Sequence, residues 1–275
     1  MPSDKRFAVL IDADNVSDKY IKYIFDELAV DGTATYKRIY GDWTKPTLTH
    51  WKSVLLENSI TPVQQYGYTI GKNSTDSAMI IDAMDILYSG NVEGFCIVSS
   101  DSDFTRLASR LRESGMYVIG MGERKTPTPF VAACNKFKYL DVLAQAKSKS
   151  ASDSVQQPKK IDNKQVAKRK TQQEPPSPPV SAATAESASE MTSLKTIEEA
   201  ILSYLRENTD DEDDWIFISD LANMLNRRYT DFDVRNFGFS KLTMFLKSLG
   251  SAEIKSVQAP GSNNKLVYVR ENKKS

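Results

Sequence analysis

Phe7-Ala-Val-Leu-Ile-Asp12-Ala-Asp-Asn15 is the stretch on which the reading of this chain turns. Five apolar residues in a row match a strand buried on both faces, and they stop abruptly at a carboxylate. A helical pattern follows on Tyr20, Ile21, Ile24, Phe25 and Leu28, with Ser17 placed to cap it. The alternation then repeats. A strand is expected at Thr35–Tyr40, a helix from Pro46 to Leu56, and a strand at Pro62–Tyr68 that its proline weakens. A helix over Asp76–Tyr88, apolar nearly all round, is expected to be deeply buried. Strand Phe95–Ser99, helix Phe104–Leu111, strand Tyr117–Met121, a short helix and a last strand-like Phe137–Leu140 complete the unit. Strands alternating with helices in this way predict a mostly parallel sheet covered on both sides, a three-layer α/β domain over residues 5–143.

Beyond it the composition changes. Residues 146–193 are rich in Ser, Ala, Pro, Gln and Lys, including Pro175, Pro176, Pro178 and Pro179, and too poor in apolar side chains to offset the entropy of ordering. A disordered linker is expected there. Residues 194–272 form a second unit: helix Leu194–Glu207, a strand at Trp215–Ile218, helices Ser219–Asn226 and Lys241–Leu249, then Ile254–Val257 and Lys265–Val269 around Pro260-Gly-Ser-Asn-Asn264. Three helices and a terminal hairpin predict a small winged helix-turn-helix-like domain.

Composition excludes several functions. Lys plus Arg equals Asp plus Glu, 36 against 36, so no global basic field announces a polyanion partner. Residues 146–194 alone carry a basic excess, 8 against 5. Two cysteines, Cys96 and Cys134, make no disulfide framework, and one histidine, His50, excludes a His-rich metal site. No apolar run approaches the ~20 residues of a membrane span, and Met1 to Phe7 lacks a secretory layout. A reducing, cytoplasmic setting without membrane contact is expected.

In a parallel sheet all carboxyl ends of the strands share one edge, and ligands collect there. Asp12 ends the first strand, Asp101 and Asp103 follow Phe95–Ser99, and Asp76 opens a helix after the polar loop Gly71-Lys72-Asn73-Ser74-Thr75. Acids about ninety positions apart thereby converge on one rim. Two such charges at 4 Å repel by ~4 kcal/mol at an effective dielectric of 20, so protonation or a cation must relieve them. Oxygen ligands alone suit a hard ion, Mg²⁺ or Mn²⁺. Capping duties fit Asp76 and Asp103 equally well, and a turn role fits Asp14 better than ligation. Asp82, about 240° round the helix from Asp76, points to a structural partner instead. His50 lies far from the strand ends.

These blocks together, Phe7 to Asn15, Lys72-Asn-Ser-Thr-Asp76 with Asp82, and Val98-Ser-Ser-Asp101-Ser-Asp103-Phe104, resemble the NYN family of PIN-like ribonucleases. The resemblance implies that Asp12, Asp76, Asp101 and Asp103 bind metal, with Asn15 and Ser100 assisting catalysis. It implies hydrolysis of RNA phosphodiester bonds; near the acidic rim, Lys72 and Arg106 are candidate phosphate guides. The loop departs from the family at Asn73-Ser74-Thr75, where Gly and an aliphatic residue are common. The second unit resembles the OST-HTH (LOTUS) module through Asp214-Trp215-Ile-Phe-Ile-Ser-Asp-Leu221, Asp231-Phe-Asp-Val-Arg235-Asn-Phe-Gly-Phe-Ser-Lys241-Leu242 and the glycine-containing wing. That implies binding of single-stranded or structured RNA, G-rich RNA included. Docking of a helicase is implied for extended members with a helix after the wing, and the chain stopping at Ser275 favours RNA. Arg227, Arg228, Arg235, Lys241 and Lys247 are its candidate phosphate contacts, and Phe232, Phe237 and Phe239 its expected core. The expected whole is a metal-dependent ribonuclease with a tethered RNA-binding module. Two alternatives stand beside it: a non-catalytic RNA-binding adaptor, and a haloacid-dehalogenase-like phosphatase, which Asp12-Ala-Asp14 resembles although Asn15-Val16 replaces the usual Gly-Thr.

Overall fold

The computed structural model of the chain describes residues 5–66, 74–152, 191–208, 215–258 and 265–272, with backbone alone for 147–152. In chain order the first unit runs β1 (Lys5–Asp12), α1 (Ile21–Leu28), β2 (Gly32–Gly41), α2 (Trp51–Glu57), β3 (Thr61–Gln64), α3 (Ser74–Ser89), β4 (Gly94–Val98), α4 (Thr105–Glu113), β5 (Tyr117–Gly122), α5 (Thr128–Ala133), β6 (Lys136–Tyr139) and α6 (Leu140–Ser152). The six strands form one sheet in the order β3-β2-β1-β4-β5-β6, and every pair is parallel. Pro62 is accommodated because β3 is an edge strand, where a missing donor breaks no ladder.

Side chains alternate across the sheet. Ala8, Leu10, Phe95 and Ile97 pack under α3, α4 and α5, whereas Phe7, Val9, Ile11, Cys96 and Val98 pack under α1, α2 and α6. The expected three layers are therefore present, with the sheet as the middle one. Two details differ from expectation. Helix α3 is buried along one side only: Met79, Ala83 and Ile86 are buried, but Ile81 and Tyr88 stand 63% and 74% exposed. Its apolar residues exceed what one sheet face can cover. Ser17 makes no cap; its hydroxyl turns to Asp18.

The second unit comprises α7 (Leu194–Glu207), β7 (Ile216–Phe217), α8 (Ile218–Arg228), α9 (Leu242–Leu249), β8 (Ala252–Gln258) and β9 (Lys265–Glu271), with an antiparallel sheet ordered β7-β9-β8. Ser193 caps α7 by accepting from the Thr196 amide. Phe232, Phe237 and Phe239 surround the buried Phe245, as expected of core aromatics. Residues 259–264 of the wing lie outside the described residues, as does most of the expected linker. At its two ends that segment is structured: α6 continues to Ser152, and Met191 and Thr192 pack back onto the protein.

The two units touch. Edge strand β6 presents its Phe137 amide to the Thr230 carbonyl at 2.7 Å, and the Thr230 hydroxyl donates to the Val131 carbonyl. Asp231 accepts from the Tyr139 hydroxyl and from the Thr192 amide and hydroxyl. The Arg235 guanidinium forks onto both oxygens of Glu27 at 2.5 and 2.7 Å, while Lys138 bridges Glu27 and Asp233. A sheet edge that would otherwise offer unpaired donors is covered in this way.

Candidate metal centre

Strand β1 lies between β2 and β4, and the chain leaves it toward β2 on one side and reaches β4 only later. This reversal opens the crevice at the carboxyl ends of β1 and β4. Ile11 pairs with Val98, so the next residues, Asp12 and Ser99, lie side by side. Both are fully buried. Asp12 Oδ2 accepts from the Ser99 hydroxyl at 2.8 Å and the Asn15 amide at 2.7 Å, and Oδ1 accepts from the Asp14 amide at 3.0 Å. Burial raises its pKa, and the three hydrogen bonds oppose that rise.

Ser99 does a second job. Its Oγ accepts the Asp101 amide at 3.0 Å, so one hydroxyl ties the first acid to the backbone of the third. Asp101 in turn accepts the Asp103 amide at 2.9 Å and caps the single turn Ser102–Phe104 that leads into α4. Asp76 enters from the first turn of α3, only 9% exposed. One carboxylate oxygen each from Asp76, Asp101 and Asp103 falls within 4.8 Å of the others. Burial, then the charges of Asp12, Asp101, Asp103 and Asp14, push Asp76 up to about 6.

That arrangement fits a hard divalent cation on two grounds. Three oxygens spread over 4.8 Å span about two metal–oxygen bonds. Burial first, and then the charges of four neighbouring carboxylates, raise the pKa of Asp76, and a bound cation would offset both. Asp12 stands outside the three-member group, its charge felt by Asp76. Asp14 is held by Lys45 and Thr75, as a turn residue would be. Asp82 accepts from Arg38 and from the Tyr40 hydroxyl, the structural partners expected of it.

Ser99, for which the sequence predicts no role, is the serine that reaches Asp12, and Ser100 bonds elsewhere. The Ser100 hydroxyl accepts the Glu123 amide at 2.9 Å and fastens the turn to the end of β5. Strand alternation was the signal: Asp12 shares a face with Leu10, and Ser99 shares that face with Ile97, whereas Ser100 points to the other. Gly122 makes room for this turn, since a Cβ there would stand 2.6 Å from the Ser99 carbonyl oxygen.

Among the candidate phosphate contacts, Arg106 is exposed in the first turn of α4, close in sequence to Asp103, and Lys72 lies outside the described residues. Arg227 and Arg228 are exposed in the last turn of α8 and line a shallow hollow with Tyr204, Asn223 and Met224. Lys241 and Lys247 are exposed at the two ends of α9. Arg235 instead spends its guanidinium on Glu27 and Asp233 between the units.

Comparison with known proteins agrees with this geometry. The NYN domain family matches residues 6–141, and the OST-HTH/LOTUS domain family matches residues 192–263. No curated protein matches the chain. Among solved structures, a Vibrio parahaemolyticus protein of unknown function is similar at 17% identity and a TM-score of 0.43, over 50% of this chain and 94% of its own. An uncharacterised Nitrosomonas europaea protein, solved by NMR, is similar at 26% identity and a TM-score of 0.26, over 38% of this chain and 95% of its own. With acids at the strand ends of one unit and a hairpin closing the other, the chain consists of an NYN domain followed by a C-terminal OST-HTH/LOTUS domain.

Proposed function

We propose that this protein is a divalent-metal-dependent ribonuclease whose LOTUS domain holds RNA, single-stranded or structured and G-rich RNA included. The observation that carries the reading is the Asp76–Asp101–Asp103 cluster at the carboxyl rim of a parallel sheet. Asp76, Asp101 and Asp103 would hold Mg²⁺ or Mn²⁺, with Asp12 adding its charge to the negative site. When bound, such an ion lowers the pKa of a water and neutralises charge on a phosphodiester undergoing in-line attack. The chain's own contribution is placement. Ser99 and Asn15 hold Asp12 against its burial, and the Asp101 cap fixes the turn carrying Asp103. Arg106, exposed in the first turn of α4, would orient a backbone phosphate. The phosphatase alternative is weakened because Asp12 is fully buried, with both oxygens accepting hydrogen bonds, where an aspartyl nucleophile needs access to its substrate. Buried free thiols at Cys96 and Cys134 suit a reducing compartment such as the cytoplasm.

The test is cleavage of a single-stranded RNA in Mn²⁺ by the parent and by Asp101→Asn. Loss of at least 100-fold in rate with RNA binding retained is expected. Equal cleavage by the two would reject the assignment of this site, and RNA binding by a parent that cleaves nothing would leave an RNA-binding adaptor.

A further inference from the structure

The outer face of the small LOTUS sheet carries a feature that the metal centre does not use. Phe217, Tyr268 and Lys255 are paired across β7, β9 and β8, so they form one row on one face. The face beneath, with Val269, Ile216 and Ile254, belongs to the core. Phe217 and Tyr268 lie 4.5 Å apart between ring centroids and 33° apart in plane, and Phe217 remains 41% exposed. Next to this pair, Trp215 has the Arg270 guanidinium over its ring at 4.6 Å and the Lys255 ammonium at 5.5 Å. Glu253 pairs with Arg270, whereas Lys255 has no carboxylate partner among the described residues. Val257, 39% exposed, extends the apolar surface along β8. Contacts to the NYN domain run through Thr230–Arg235.

From this juxtaposition we infer that the outer β7-β9-β8 face is a base-stacking platform for single-stranded RNA. The Phe217–Tyr268 pair receives a base, and Lys255, steadied over Trp215, receives the adjoining phosphate. Two chemical arguments select nucleic acid over a protein partner. Flat aromatic rings beside cations match the alternation of base and phosphate along a strand, and every base has a π-face to offer. A buried protein contact would in addition have to desolvate the ammonium of Lys255 without a partner. The assignment rests on the RNA-binding reading above and gives it a location.

Fluorescence anisotropy with a labelled single-stranded RNA, in EDTA so that no cleavage intervenes, tests it on the full chain. Phe217→Ala and Tyr268→Ala should each weaken binding by about 5- to 150-fold. Phe217→Trp should bind like the parent. Lys255→Ala should weaken binding and reduce the salt slope by about 0.7. Because Phe217 is half-exposed, its alanine variant keeps the test open if Tyr268→Ala unfolds. Parental affinity in both aromatic variants, whether or not Lys255→Ala weakens binding, would overturn the platform and leave RNA binding standing. A parent that binds no RNA would overturn both, and the face would then belong to a protein partner.

Discussion

At Asp76 the carboxylate sits in the first turn of α3 near Asp12, Asp101, Asp103 and Asp14, and burial plus their charges take its pKa from 3.8 to about 6. An acid raised in the folded state binds more protons folded than unfolded between those two values. Stability therefore falls as pH rises through that window, and the full deficit, on the order of 3 kcal/mol at most, is present above about pH 6. Asp76→Asn removes the charge. In EDTA the variant should be more stable than the parent at pH 7.5, with the difference shrinking toward pH 4. In saturating Mn²⁺ the order should reverse, because only the parent keeps the ligand set. Urea denaturation under these three conditions checks the expectation. A parent that is the more stable protein in EDTA at pH 7.5 would contradict it. The acids themselves were legible before folding, since each ends a strand or opens a helix, but the serine that serves them was not. Ser99 and Ser100 are neighbours of identical chemistry, and the pleat alone decides which one reaches Asp12.

Helix α3 shows the same division at the level of an element. Its existence was readable from propensity and length, and its burial was overestimated from composition. A helix lying on a sheet buries one stripe, so Ile81 and Tyr88 remain outside however apolar they are. What fastens α3 to the sheet includes a polar contact: Asp82 accepts from Arg38 and from Tyr40, both on β2. Burial, then the bond to Asp82, raises the Tyr40 hydroxyl well above its ordinary pKa, so it remains a donor throughout the usual pH range. Asp82→Ala leaves a partly buried guanidinium and a buried phenol without their acceptor. It should destabilise the protein by about 2–4 kcal/mol, read by urea denaturation. Mn²⁺-dependent stabilisation of the folded fraction should persist in that variant, which separates a structural aspartate from a ligand.

Across the whole molecule, the LOTUS domain is docked as well as tethered. Glu27 and Asp233 are partly buried between the units; burial alone would raise their pKa values, but Arg235 and Lys138 outweigh it and hold both lowered. Groups lowered in the folded state stabilise it fully above their unfolded values, 4.5 and 3.8, and less as pH falls toward their folded values. The docked arrangement should accordingly persist at pH 6 and loosen below about pH 4. Arg235→Ala, which strands two carboxylates on Lys138 alone, should cost about 2–3 kcal/mol and enlarge the radius of gyration at neutral pH. Small-angle scattering of parent and variant at pH 7 and pH 4 measures it. Identical radii at pH 7 would show that the ion pairs do not hold the domains together. A docked module would hold any ligand it binds in a fixed orientation to the NYN domain, whereas a purely flexible tether raises only its local concentration.

Strand and helix order, the break between two units and the acids gathered at one sheet edge followed from local properties: period, composition and position at the end of a strand. Those signals survive in a linear chain because each spans a few residues. The choice of Ser99 over Ser100, the aromatic row of Phe217 and Tyr268, and the inward turn of Arg235 toward Glu27 all depend on partners far along the chain. Strand register and domain docking bring those partners together, and neither leaves a mark on any short stretch of the sequence.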